Sequence, residues 1–189
     1  LRCRQLGIDA DVYVADSDAP AIVEQRFHCP SFNIDLMGGA DFNPNGVGGG
    51  GMGRFTFGFS YFGADFQFDA ASNGTRTLAG HLMVRFGPKN HIDPNIAVGY
   101  RNMTIGGQFR HGIEVGVPHR YVFWRDGLKS FGLELRPTIM FGLGSLEGGI
   151  EGALYYSVAE PFQVRLGGKV HSFGNDVLGG VNAGVSLMF

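Results

Sequence analysis

Beyond residue 31, apolar and polar residues alternate with a period of two. In the last stretch Val181, Ala183, Val185, Leu187 and Phe189 share one face, and Asn182, Gly184, Ser186 and Met188 share the other. Earlier runs repeat the pattern: Phe162 to Val170, Leu146 to Tyr156, Phe131 to Phe141, Ile113 to Phe123, Ile96 to Tyr100, Leu78 to Phe86, Phe66 to Phe68, Phe55 to Tyr61 and Phe32 to Phe42. These read as ten strands, most of them about nine to twelve residues long. Turn-forming stretches separate them, among them Asn43-Pro44-Asn45-Gly46, Ser72-Asn73-Gly74, Arg125-Asp126-Gly127 and Phe173-Gly174-Asn175-Asp176. An antiparallel meander follows. At Phe62-Gly63-Ala64 the apolar parity switches, which fits a tight turn; a bulge there would lower the count, and eight strands is the alternative.

Composition narrows the setting. The chain has 189 residues, with 32 Gly and 17 Phe, and its 17 acids nearly cancel its 15 Lys and Arg. A net charge of -2 without a basic run leaves no footprint for nucleic acid. No apolar run approaches the roughly 18 to 20 residues of a membrane-spanning helix. Helical periodicity is interrupted by Gly throughout.

Almost no charge lies on the apolar faces; the polar face carries a balanced set. Its acids are Asp35, Asp41, Asp65, Asp69, Glu114, Glu134, Glu147 and Glu151, and its bases are Arg54, Arg85, Arg101, Arg110, Arg120, Arg136, Arg165 and Lys169. The opposite faces are long, uniformly aliphatic or aromatic, and repeated over every strand. That division suits a closed sheet with lipid outside and a polar lumen, and the strand lengths match about 9 to 11 residues for a tilted crossing. The fold predicted is all-β: a transmembrane antiparallel up-and-down β-barrel over residues 32–189. Balanced charges predict cross-strand ion pairs that fill a narrow lumen, with Gly beside them making room. A charged constriction in a narrow pore is the other reading.

The terminal pattern Val181-x-Ala183-x-Val185-x-Leu187-x-Phe189 resembles the C-terminal signature of bacterial outer-membrane β-barrels. The resemblance implies that Val185, Leu187 and Phe189 are read by the barrel-assembly machinery during biogenesis. It further implies a Gram-negative outer membrane, contact with its lipid, both termini in the periplasm, and export by a signal peptide, with which Leu1 in place of an initiator Met is compatible. Residues 43–51, 72–76, 105–107, 142–145 and 173–178 then lie outside the cell.

Residues 1–31 differ in composition and read as a short periplasmic segment. An oxidising periplasm would favour pairing Cys3 with Cys29; a lipid-modified Cys3 is the alternative, with Arg2 a poor neighbour for it. This segment, or the barrel rims, offers a contact for an envelope protein partner, and a leader that merely caps the first strand is an equal reading.

Other motifs reduce to structure. Gly48-x-Gly50-x-x-Gly53 matches a dinucleotide fingerprint, but Arg54-Phe55-Thr56-Phe57 continues it as a strand, with no helix N-terminus for a pyrophosphate; it reads as an outer loop. Asn73-Gly74-Thr75 reads as a turn. His81, His111, His119 and His171 lack metal-ligand spacing, and no cofactor is expected. Alternation places His171 and Ser172 on opposite faces, so a hydrolase ranks third. His119 and Trp124 suit a membrane interface. The favoured role is a structural, anchoring subunit of an envelope assembly with a largely occluded lumen, and not an enzyme.

Overall fold

The computed structural model describes residues 30–86, 92–105, 107–126, 129–142, 146–159, 161–174 and 176–189. Through them run β1 (Ser31–Asn43), β2 (Gly46–Phe59), β3 (Phe62–Ala71), β4 (Arg76–Arg85), β5 (Ile92–Ile105), β6 (Gln108–Gly116), β7 (His119–Asp126), β8 (Lys129–Gly142), β9 (Leu146–Ala159), β10 (Phe162–Phe173) and β11 (Asp176–Met188). All observed pairings are antiparallel. β6 and β7 are two halves of one strand, because β5 and β8 each pair with both in continuous order. The break falls at Val117-Pro118, where proline has no N–H for the ladder.

Counted as one, the two halves give ten strand positions, and the sheet is closed. Closure comes from β1, which pairs with β11 on one side and β2 on the other, while β4 pairs with β5. The C-terminal residue fastens this seam. Phe189 donates its N–H to the Phe32 carbonyl at 2.8 Å, and Phe32 donates back to Phe189 at 3.0 Å. A closed sheet leaves no edge with unpaired N–H and C=O groups, which is the condition for a β-structure in lipid.

The faces invert the usual arrangement of a water-soluble domain. Large apolar side chains lie outside: Leu82 is 75 % exposed, Phe62 70 % and Leu146 69 %. The buried side chains include Asp35, Arg54, Asp65, Glu114, Glu151, Arg165 and Lys169. An apolar surface that wraps the whole barrel exceeds the few hundred Å² that soluble monomers tolerate. The chain is a transmembrane antiparallel β-barrel.

Two details depart from the sequence reading. The run Gly46–Gly53 is not a loop but the first half of β2, paired residue by residue with β1. Asp176, Val177 and Leu178 likewise belong to β11. Glycine's low strand propensity predicted a loop in the first stretch and the neighbouring turn Phe173-Gly174-Asn175-Asp176 predicted one in the second; ladder pairing, with β1 for Gly46–Gly53 and with β10 for residues 176–178, overrides both. The parity switch is a hairpin, as the turn reading had it, but two residues earlier: Phe59 faces Phe62 across Ser60-Tyr61, with Ser60 at φ 52°. A second phase change occurs in β7, where a bulge between Val122 and Trp124 turns both Phe123 and Trp124 outward.

Glycines on the inner wall are required by space. A Cβ on Gly149 would sit 2.1 Å from His171 Nδ1, and one on Gly180 would sit 2.4 Å from Asp41 Oδ1. At Gly99 the obstacle is backbone, the Gly80 carbonyl oxygen at 2.0 Å. These positions let long charged side chains cross a narrow lumen.

Candidate functional site

The densest chemistry of the described residues is in the lumen, where inward positions of neighbouring strands place opposite charges side by side. Six side chains form a ring. Arg54 of β2 contacts Asp65 of β3 at 3.6 Å; Asp65 contacts His81 of β4 at 3.5 Å; His81 contacts Glu114 of β6 at 2.8 Å. Glu114 then meets Arg101 of β5 at 2.6 Å, Arg101 meets Glu151 of β9 at 3.4 Å, and Glu151 returns to Arg54. The ring therefore spans the barrel from β2–β6 across to β9. Gln67 adds a neutral brace, accepting from Arg54 at 2.6 Å and donating to Glu151 at 3.2 Å.

An arm extends from this ring. Arg136 of β8 donates to Asp65 at 3.0 Å and to Glu134 at 2.5 Å, and Arg165 of β10 donates to Glu134 at 2.7 Å and to Asp35 of β1 at 3.0 Å. Every strand position except that of β11 contributes a charged group to ring or arm. Burial of so many charges is tolerable only because each is paired and hydrogen-bonded, since an ion alone in a low-dielectric interior costs several kcal/mol or more.

Towards the hairpin end, where β1 turns into β2, Lys169 bridges Asp41 at 3.0 Å and Asp69. Nearby, half-buried Arg110 reaches Glu147 at 3.4 Å. Above them the chemistry changes to an apolar cluster of Met103, Ile105, Phe173 and Leu178. Its members come from β5 on one side of the barrel and from β10 and β11 on the other. At the opposite end, which carries residues 30 and 189, the lumen is lined by neutral polar groups together with Arg120 and Arg85. Ser130 donates to Ser157 at 2.9 Å, Gln163 donates to Ser157 at 2.8 Å, and Arg120 lies 4.1 Å from the Tyr155 ring centroid. Arg85, half-buried at this end, donates to Ser31 at 3.5 Å.

Water has little room among these groups. Two cavities share Arg54, Arg136 and Glu151 as walls. Each has a water-accessible volume of about 20 Å³, room for roughly one molecule.

Several inward residues have contacts that sequence reasoning did not give them. His81 and His171 read as scattered, yet His81 closes the ring and His171 lies 3.3 Å from Glu151. All six methionines also share the inward phase: Met37, Met52, Met83, Met103 and Met140 are buried, and Met188 accepts from Arg120 at 3.5 Å. The available signal was phase, because each except Met188 stands an even number of residues from an inward charge on its own strand, and Met188 shares the phase of the buried Ser186. Ser172 faces outward and is exposed, away from His171. Asn73 and Thr75 are fixed in a turn in which Gly74 has φ 83°. Cys3 and Cys29 lie outside the described residues. Among those residues no cluster of His, Cys, Asp or Glu has the arrangement of a metal site.

No family model and no curated protein matches the chain. Among solved structures it is similar to Neisserial surface protein A, at 15 % identity and TM-score 0.36, over 85 % of this chain and 97 % of that one. A triple-substituted Rhodopseudomonas blastica porin aligns at 12 % identity and TM-score 0.30, over 85 % of this chain and all of the porin.

Proposed function

We propose that the protein is an occluded barrel of the bacterial outer membrane that serves as a structural, anchoring subunit of an envelope assembly. The carrying observation is the ring of Arg54, Asp65, His81, Glu114, Arg101 and Glu151, which ties β2–β6 to β9 straight across the lumen. A tube braced from wall to wall is suited to stiffness rather than transit. The apolar cluster of Met103, Ile105, Phe173 and Leu178 supports the same reading, since such constrictions exclude ions by dewetting. In this proposal the end bearing residues 30 and 189 faces the periplasm. Residues 1–31, stapled by Cys3 and Cys29, or the rims, hold the protein partner. Val185, Leu187 and Phe189 serve the assembly machinery, a role supported by the seam that Phe189 closes with Phe32.

A narrow pore is the second reading, favoured by the two small cavities that flank the same Arg54–Glu151 pair. Rearrangement of that pair would join them. Purified protein in planar bilayers separates the two: the occluded barrel gives no steady conductance, whereas a pore conducts with a selectivity that shifts on Glu114→Gln or Arg136→Gln. For the anchor, a mild-detergent pull-down with mass spectrometry should recover an envelope protein that is lost when residues 1–31 are deleted. Recovery of the barrel alone would remove the anchoring role.

A further inference from the structure

The outer surface is apolar nearly everywhere, yet four polar outward positions are contiguous. Arg76 of β4 is the register partner of Thr104 of β5, and Asn102, two residues back on β5, is the partner of His111 on β6. Outward neighbours two residues apart on a strand, or opposite across a ladder, have adjacent side chains. The group lies close to the hairpins at 72–75 and 105–108, at the hairpin end of the barrel. Leu78, Tyr100 and Phe109 frame it and are 54 %, 48 % and 63 % exposed.

All four side chains can donate hydrogen bonds. Arg76 is exposed and has no ion pair among the described residues. His111 is oriented: its Nδ1 lies 2.8 Å from the Tyr100 hydroxyl and its ring packs 5.4 Å from that of Phe109. With Nδ1 engaged, Nε2 is the nitrogen left for a ligand. No carboxylate faces outward on the described parts of β3, β4, β5 or β6, so nothing local neutralises the guanidinium. Elsewhere the ladder stacks apolar residues at these heights, as with Phe42, Val47, Phe141 and Leu146.

We infer that Arg76, Asn102, Thr104 and His111 form a binding site for the anionic phosphate headgroup of a membrane lipid. A guanidinium presents a forked pair of donors that matches phosphate oxygens, and charge-assisted hydrogen bonds are roughly twice as strong as neutral ones. The occupant is a lipid rather than a free anion because the site opens sideways onto the lipid-facing wall. A headgroup held there lays its acyl chains over Leu78, Leu82, Tyr100 and Ile113.

Native mass spectrometry of the full chain in detergent tests this by titration with phosphatidylglycerol or with phosphatidylcholine. Phosphatidylglycerol is expected to be retained about tenfold more tightly, a difference lost in the double variant Arg76→Gln, His111→Gln and partly kept in Arg76→Lys. Far-UV circular dichroism confirms that each variant keeps its β-signal. Because both substitutions lie on the outer surface, Lys129→Gln, at the other end, serves as the matched surface control and leaves the difference intact. Equal retention of the two lipids, or retention unchanged in the double variant, overturns the site. Displacement of the lipid by millimolar inorganic phosphate assigns the patch to free anions and overturns the lipid occupant.

Discussion

The lumen is crossed at two levels, by different physics. Its middle is crossed by a hydrogen-bonded ring and arm of charges, whereas its hairpin end holds the apolar cluster of Met103, Ile105, Phe173 and Leu178. A charged closure is directional: each carboxylate needs a donor at a fixed distance, so the ring also fixes which strands face each other. An apolar closure is not directional and depends on filled volume and excluded water. In the proposed occluded barrel the ring braces while the apolar cap seals, and loss of a member should cost the two closures different amounts and have different consequences.

The largest effect is expected from Glu151→Ala. Glu151 is shared by Arg54, Arg101, Gln67 and His171, so its removal strands cationic groups in a dry interior. Breaking one partner of a buried ion pair costs about 3–5 kcal/mol, which urea titration of the folded barrel in micelles would measure. The cap remains intact, so the variant should still give no steady conductance in bilayers. A conducting Glu151→Ala barrel would show that the apolar cap does not seal.

Leu178→Ala comes next. Leu178 is 1 % exposed within the cap, and truncation of a buried leucine costs about 2–5 kcal/mol according to how far the cavity collapses. On its own this variant too should remain silent, because the ring still crosses the lumen below it. Combined with Glu151→Ala it should admit ions. A silent double variant would mean that the remaining polar groups, Lys169 with Asp41 and Asp69, suffice as a third barrier.

The two closures were unequally visible in the sequence. The charged face was legible because strict alternation sorts residues by phase, and Asp35, Arg54, Glu114, Arg165 and their fellows are the polar phase of apolar strands. The cap was not legible for the same reason. Leu178 and Phe173 are apolar residues on the inward phase, next to the turn Phe173-Gly174-Asn175-Asp176, and they read as loop. The Gly46–Gly53 stretch failed for a related cause: glycine carries no phase signal, so only pairing with β1 and β3 reveals a strand. The outward patch of Arg76, Asn102, Thr104 and His111 could be found only as an exception to the alternation. Which charge meets which across the lumen depends on strands far apart in sequence, such as the 97 residues between Arg54 and Glu151.

The smallest expected effect concerns the material of the cap. All six methionines point inward, whereas most leucines and isoleucines, Leu178 and Ile105 excepted, pack the outer wall. Methionine fills irregular gaps by rotating three bonds, whereas leucine holds nearly the same volume with less freedom. Met103 is 1 % exposed and touches Ile105, Phe173 and Leu178. Met103→Leu conserves volume, so its cost should stay below about 1.5 kcal/mol, with the barrel still silent in bilayers. A cost in the range of Leu178→Ala would show that the cap, like the charged ring, depends on one particular shape at each position. The distinction drawn between a directional closure and a space-filling one would then fail at its apolar end.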